Sequence, residues 1–326
     1  MKLESNLRVT RRTVGHIAAR TAELGLDDVP DPRKGKTDWR LSTVLKACVV
    51  GMAASCKGLG EVEDLTASLG RGSRKALGLW RRLPDTTARN PLCRLDPNRV
   101  RAVLHASVRS AQRRKQLNHD FPLRVASLDG KVTSTWLLDD SKAKVKFAQV
   151  QGDRAVVRTV TSCLLSVPGR PCLDAHPIPP KTSKRAREVR IRAVEHQSVF
   201  VEALDALLLA YPGQLDMVTY DAGACGLDNA GAIVARRLHY LFCLTANQPT
   251  LLQEAQRLLA RKGPEQCVAE STDLDGPDIV VRRMYVAELP NGWLDWGHLR
   301  TVVRIRCERE DKSNGTNSVP EDRYYF

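Results

Sequence analysis

The spacing of apolar residues along the chain changes near residue 120. Before that point it follows the helical period: Val14, Ile17 and Leu24 fall on one face of a helix predicted over residues 1–26. Residues 27–36 contain two prolines and a glycine, which predict a linker. Further helices are predicted over Leu41–Ser55, from about Glu61, and over Pro97–Gln116. The pattern therefore predicts a helical unit over residues 1–120.

After residue 120 the apolar runs are short, rich in Val, Thr and Leu, and separated by turn signals, as in strands. Three strands are predicted first, at Leu123–Leu128, Ala155–Val167 and Cys172–Ile178. Helices and strands then alternate: helix Lys184–Leu209, strand Leu215–Tyr220, helix Leu227–Leu238, strand Tyr240–Leu244 and helix Thr250–Arg261. Thr250 and Gln253 are predicted to form a capping box at the start of the last helix. Further strands are predicted over Asp278–Ala287, over Leu299–Cys307 and from Arg323. This order predicts an α/β fold with a mixed sheet and flanking helices.

Charge sets the two parts of the 326-residue chain apart. The formal net charge is +14, and residues 1–120 hold 24 Lys and Arg against 12 Asp and Glu, whereas residues 121–326 hold 27 against 25. A basic part beside a near-neutral part favours a polyanion-binding module; a basic protein that is merely soluble is the alternative. No apolar run is long enough for a membrane span, and the N-terminus has no signal-peptide core, so a cytoplasmic protein is expected. The nine cysteines form no C-x-x-C pair, which predicts reduced thiols and no zinc site.

Two aspartates follow strand-like runs directly. Asp129 comes after Ser127-Leu128 and before Gly130, and Asp221 comes after Thr219-Tyr220 and before Ala222-Gly223. A strand end is a rigid mount for a carboxylate, and glycine lets the chain turn beside it. Paired carboxylates on neighbouring strands suit Mg²⁺ or Mn²⁺, so both residues are candidate metal ligands. Two ordinary aspartates in Asp-Gly turns are the alternative.

Several other polar residues are candidates for contacts with DNA. Lys131 could contact a phosphate or be a solvated lysine in a turn. Lys184, Arg185 and Arg187 belong to a basic run that favours contact with the DNA backbone, although a solvated helix face is the alternative. Asn247 and Gln248 could position DNA, or could merely begin a helix at Pro249.

Several segments resemble the DDE transposases of bacterial insertion sequences, specifically the H-repeat-associated group. Asp31-Pro32-Arg33 resembles the start of that group's N-terminal domain, and Leu128–Lys131 and Thr219–Ala222 resemble its two aspartate motifs. Residues 240–249 resemble its fifth-strand motif, with Thr245-Ala246 in place of Lys-Gly. Residues 321–325 are similar to the strand that returns to the catalytic core.

The resemblance implies a ribonuclease H-like mixed sheet with flanking helices and a β-rich insertion, preceded by an all-α basic domain. It implies three parts: a DNA-binding domain over 1–120, a catalytic core over 121–262, and an insertion with the start of the returning strand over 263–326. Mg²⁺ or Mn²⁺ held by Asp129 and Asp221 would then support cleavage and strand transfer at insertion-sequence ends. The implied partners are double-stranded DNA, as transposon ends and target, and a second copy of the chain on DNA, in a nucleoid-associated protein.

The family takes a third carboxylate from a helix that follows the returning strand. That helix would lie beyond Phe326, and Glu308, Glu310 and Glu321 are not on the expected helix. The expectation is therefore a C-terminally truncated transposase that binds metal weakly and cleaves DNA poorly or not at all. Two alternatives stay open: a non-catalytic DNA-binding remnant, and a ribonuclease H-like nuclease unrelated to transposition.

Overall fold

A computed structural model describes residues 13–136, 148–151, 154–178, 192–220, 225–276, 278–290, 293–311 and 316–326. The chain divides into two compact units, Met1–Leu117 and Asn118–Phe326. Within the described ranges, no helix is long and apolar enough to cross a membrane. The assignment of residues 1–120 to a DNA-binding domain, 121–262 to a catalytic core and 263–326 to an insertion with the returning strand stays a prediction.

Helices make up the described secondary structure of the first unit. They are α1 (residues 13–20), α2 (Leu41–Ala53), α3 (Leu59–Ser68), α4 (Arg71–Leu77), α5 (Asp85–Arg94) and α6 (Pro97–Arg113), with short 3₁₀ turns at Thr21–Leu24 and Leu26–Asp28. The helix predicted over 1–26 therefore gives way to a 3₁₀ turn after residue 20, and that turn ends at Gly25, which takes a left-handed conformation with φ of 67°. A core that includes Val14, Val44 and Leu77 joins helices α1 to α5, and Val103 of α6 packs against a second cluster around Leu41 and Leu45.

The second unit is built on one large mixed sheet. Its strands are β1 (Val125–Trp136), β2 (Ala148–Gln151), β3 (Arg154–Leu164), β4 (Cys172–Ile178), β5 (Met217–Tyr220), β6 (His239–Leu244), β7 (Ala269–Asp275), β8 (Asp278–Glu288), β9 (Thr301–Asp311), β10 (Thr316–Asn317) and β11 (Glu321–Tyr325). They run in the order β2-β3-β1-β5-β6-β11-β9-β8-β7, with β4 beside β3 and β10 beside β9. The strands of the predicted insertion thus extend the same sheet that contains β1.

Strand β1 differs from its prediction. It continues through Asp129 and Gly130 to Trp136, so Asp129-Gly130 is not the turn that the sequence suggested. The reason is the partner strand: β3 pairs with β1 in antiparallel register from Ala126↔Leu164 to Trp136↔Arg154 and keeps it extended. Gly130 accordingly does not have positive φ.

Three helices connect the strands: α7 (Arg192–Ala210), α8 (Leu227–Ala235) and α9 (Pro249–Leu259). Phe200 of α7 lies edge-on to Tyr220 of β5, with ring centroids 5.2 Å apart, so α7 covers the sheet face on which Tyr220 lies. The capping box predicted at Thr250 is wrong. The helix begins one residue earlier at Pro249, whose missing N–H costs nothing at the first helical position, and Gln248 is the N-cap.

Candidate active site

Asp129 lies in the middle of β1, between β3 on one side and β5 on the other. Its neighbours Ala126 and Leu128 point to the opposite face, where they are 0% and 2% exposed. Successive side chains of a strand alternate between faces, so this apolar packing directs Asp129 to the open side of the sheet. On that side the Asp129 side chain is 47% exposed. The cross-strand partner on that face is Thr161 of β3, which is half-buried.

The partner of the Asp129 carboxylate is Lys131, two residues further along the same strand. The distance from Lys131 Nζ to Asp129 Oδ2 is 2.6 Å. Lys131 donates this hydrogen bond to the carboxylate, and the contact raises the pKa of the Lys131 ammonium above its ordinary value. The carboxylate therefore already attracts a cation on the open face, and the spacing of two residues is what places both groups on that face.

The start of β1 is tied to the start of β5. Arg124 donates from Nε to Asp216 Oδ2 at 2.8 Å and from Nη2 to Asp216 Oδ1 at 2.6 Å, and its Nη1 donates to the Gly213 carbonyl at 2.8 Å. The Arg124 backbone N–H also donates to Asp216 Oδ2, and the Asp216 backbone N–H donates to the Arg124 carbonyl. The guanidinium holds the pKa of Asp216 at about 2, well below its ordinary value of 3.8. This doubly bonded pair fixes which residues of the two strands face each other.

The register between β1 and β5 is the same at every pair of residues. The parallel pairs run from Val125↔Met217 to Leu128↔Tyr220, an offset of 92 residues, which is also the separation of Arg124 and Asp216. Asp129 and Asp221 are separated in the sequence by the same 92 residues. Sequence reasoning missed Arg124 and Asp216, although the equal separation of the two pairs was a readable signal.

Other candidates lie outside the part of the chain that the structure describes. They are Asp221, Lys184, Arg185 and Arg187. Their assignments as metal ligand and DNA contacts stay predictions.

Asn247 and Gln248 lie at the start of α9. Asn247 is exposed, and its backbone N–H donates to Thr245 Oγ1 at 3.4 Å. Gln248 is half-buried and donates from Nε2 to the carbonyl of Cys225 at 2.9 Å. The amide nitrogen of Gln248 therefore holds the backbone just before α8, while Asn247 presents its side chain to solvent.

Within the described residues, no three His, Cys, Asp or Glu side chains come together as metal ligands. The glutamates weighed as a third carboxylate include two with arginine partners. Glu308 bonds Arg283 at 2.7 Å and Arg306 at 3.3 Å, and Glu321 bonds Arg323 at 2.9 Å. Asp129 does fit a divalent cation, because it is an exposed oxygen ligand whose partner in the structure is itself a cation.

No family model matches the chain, and no curated protein matches it. Among solved structures, a piggyBac transposase, determined by cryo-EM in a synaptic complex with hairpin DNA, is similar with a TM-score of 0.32 and 11% identity, over 80% of this chain and 53% of that one. This chain thus spans about half the length of the transposase that it matches. A likeness so distant carries no argument about chemistry, which has to come from the residues of the chain itself.

Proposed function

We propose that the chain is a transposase-like protein whose second unit, a ribonuclease H-like core, carries two carboxylates of a site for metal-dependent phosphoryl transfer on DNA at the ends of an insertion sequence. One observation carries the proposal: Asp129 stands half-exposed on β1 beside β5, in a parallel register whose offset of 92 residues equals the separation of Asp129 and Asp221. The resemblance of both aspartate segments to the DDE motifs supports it.

In this proposal Asp129 and Asp221 hold Mg²⁺ or Mn²⁺ between β1 and β5. The ions would activate a water or a 3′-hydroxyl and stabilise the leaving oxygen of the cleaved phosphodiester. The role of Lys131 follows from its contact with Asp129. A divalent cation bound by Asp129 would displace the Lys131 ammonium, which could then approach a DNA phosphate on the open face. Arg124 and Asp216 are positioning residues, because they fix the register of the two strands.

The first unit would bind DNA, and strand transfer would take place in a pair of chains on two DNA ends. Exposed Asn247 would contact DNA beside the site, whereas Gln248 would position the start of α8 through Cys225. Lys184, Arg185 and Arg187 would contact the DNA backbone.

The test compares Asp129→Asn with Asp273→Asn, since both aspartates lie on strands with a cation at 2.6 Å. Mn²⁺ binding is measured by calorimetry, and Mn²⁺-dependent nicking of a supercoiled plasmid by electrophoresis. The proposal predicts that Asp129→Asn and Asp221→Asn each weaken Mn²⁺ binding about tenfold or more and abolish nicking, since each removes a charged ligand. Asp273→Asn should change neither.

Nicking that survives in Asp129→Asn would refute the proposed site. DNA binding without any metal-dependent nicking by the parent chain would favour the non-catalytic alternative. Nicking without joined DNA products would instead favour a nuclease unrelated to transposition.

A further inference from the structure

The first unit carries a stretch of positive charge with no acidic residue in it. Residues 65–84 contain five Lys and Arg and no Asp or Glu: Arg71, Arg74, Lys75, Arg81 and Arg82. Arg71, Lys75 and Arg81 are exposed, and none of the three has a carboxylate partner among the described residues. Two other exposed arginines of this unit, Arg89 and Arg114, are ion-paired, to Asp85 and Glu23.

The backbone brings three of these cations, Arg71, Arg74 and Lys75, together beside Trp80. Helix α4 ends at Gly78, which takes φ of 73°, and the N–H of Leu79 returns to the Arg74 carbonyl at 2.8 Å. This left-handed end favours glycine, and an added Cβ would lie only 3.0 Å from Thr43 Oγ1. The turn buries Leu79 and places Trp80 beside the last turn of α4. A shallow depression of about 600 Å³ is lined by α4 and by Trp80 together.

An exposed tryptophan, Trp80, lies beside these charges and packs on a buried side chain. Trp80 is 63% exposed, and its ring stacks on that of Trp39, which is 2% exposed, with centroids 5.3 Å apart and planes 16° apart. The guanidinium of Arg81 lies over the Trp80 ring, 4.2 Å from its centroid. Such a cation–π contact restricts the guanidinium and leaves its N–H groups available as hydrogen-bond donors.

Trp39, on which Trp80 stacks, is held in turn by the Asp31-Pro32-Arg33 segment. Arg33, whose side chain is 9% exposed, donates to Asp31 from Nε at 2.9 Å and from Nη2 at 2.7 Å. The same Nη2 donates to the Trp39 carbonyl at 2.6 Å. A run of contacts therefore leads from the Asp31–Arg33 pair through Trp39 and Trp80 to Arg81.

We infer that this surface, formed by Arg71, Lys75, Trp80 and Arg81, binds the phosphate backbone of duplex DNA. Unpaired, clustered cations favour a polyanion, since they need not give up a protein carboxylate to bind it. The restricted guanidinium of Arg81 suits a phosphate, which guanidinium N–H groups can contact in pairs. Trp80 is a positioning residue for Arg81. The inference stands on the first unit alone and does not depend on the chemistry proposed for Asp129.

The test measures binding of the full chain to a fluorescein-labelled duplex of mixed sequence, in EDTA, at several salt concentrations. Each phosphate contact adds about 0.9 to the slope of log affinity against log salt. Arg71→Gln/Lys75→Gln should therefore reduce the slope by about 1.8 and weaken binding about tenfold or more at low salt. The matched control is Arg89→Gln/Arg114→Gln, which removes two exposed but paired charges and should leave the slope nearly unchanged.

Trp80 is tested by rescue. Trp80→Leu should weaken duplex binding about two- to fivefold, and Trp80→Phe should restore most of it, because phenylalanine retains a ring for Arg81. Equal slopes for Arg71→Gln/Lys75→Gln and the parent chain overturn the inference, as does an equal loss of slope in the control. A loss confined to single-stranded DNA overturns the assignment to duplex. Binding is measured in EDTA, without the divalent cation that the proposed catalytic site requires, so a failure here is separate from a failure of that site.

Discussion

Two groups of basic residues in this chain have opposite surroundings. On β8 and β9, near the β7 edge of the sheet, four arginines contact carboxylates, mostly on neighbouring strands: Arg282 with Asp273, Arg283 with Glu270 and Glu308, Arg306 with Glu308 and Asp322, and Arg309 with Asp275 and Asp278. At α4 and Trp80 of the first unit, Arg71, Lys75 and Arg81 have no such partner among the described residues. Pairing, rather than the number of positive charges, therefore separates a surface that holds strands together from one that is open to a polyanion.

The difference also has an energetic side. An exposed ion pair contributes little to stability, because water and salt screen both charges. A cation without a partner contributes nothing to folding, but it can release counterions when it meets a phosphate. The four arginines of β8 and β9 are thus engaged by carboxylates, whereas Arg71, Lys75 and Arg81 of the first unit are available to a phosphate.

The largest effect should come from reversing the unpaired charges. Arg71→Glu/Lys75→Glu should weaken binding to duplex DNA about 100-fold at low salt, since two attractions become repulsions. Fluorescence anisotropy measures the affinity, and the melting temperature checks that the variant folds. An affinity within a factor of two of the parent would remove the contrast between the two groups.

The next effect concerns the Arg124–Asp216 pair, the most strongly bonded ion pair at the site. Asp216 has a folded pKa of about 2 against an ordinary value of 3.8. A depressed folded pKa means that the pair stabilises the fold above pH 4 and loses this contribution as the pH falls from 4 towards 2. Asp216→Asn should therefore lower the free energy of unfolding by about 1–2 kcal/mol at pH 7, and less as the pH approaches 2.

Asp205→Asn supplies the control for that measurement. Asp205 also makes two bonds to an arginine, Arg236, but it is 54% exposed against 28% for Asp216. Its substitution should cost less at pH 7. Urea unfolding at pH 7 and at pH 2.5 measures all three chains, and an equal loss for both variants would show that exposure does not distinguish the two pairs.

How much of this the sequence could predict depends on the range of the interactions. The apolar runs of β3, β5 and β6 could be recognised in the sequence. The expectation that the two strands before Asp129 and Asp221 are neighbours also agrees with the structure, where β1 pairs with β5. Strand β7 was not, because every residue of Ala269–Asp275 is exposed and the segment is extended only through its pairing with β8. The continuation of β1 past Asp129 likewise comes from β3.

The same limit applies to the sites. Two aspartates after apolar runs could be picked out locally, but the ion pair between Asp129 and Lys131 required both side chains to stay on one strand face. The stack of Trp80 on Trp39 joins residues 41 positions apart, and no local pattern marks it. The tripeptide Asp31-Pro32-Arg33 was visible as a motif, while its contact with the Trp39 carbonyl was not.

A smaller effect should follow from Lys131→Met, which removes a positive charge from Asp129. Because Lys131 Nζ lies 2.6 Å from the carboxylate, it competes with any added cation for the same oxygen. Mn²⁺ affinity in the absence of DNA should rise about two- to fivefold, a modest change because water screens the exposed pair. Calorimetry measures this affinity, and a weaker affinity would mean that Lys131 supports the metal site instead of competing with it.

The smallest effect is expected where charges are paired. Arg282→Gln/Arg309→Gln removes as much charge as Arg71→Gln/Lys75→Gln, but from arginines that already contact Asp273, Asp275 and Asp278. Affinity for duplex DNA should change less than about twofold, because neighbouring carboxylates already neutralise those arginines and would repel a phosphate. If this double variant instead weakened binding as much as the first, net charge alone would govern DNA binding. The pairing that distinguishes the two groups of basic residues would then matter only for holding β7, β8 and β9 together.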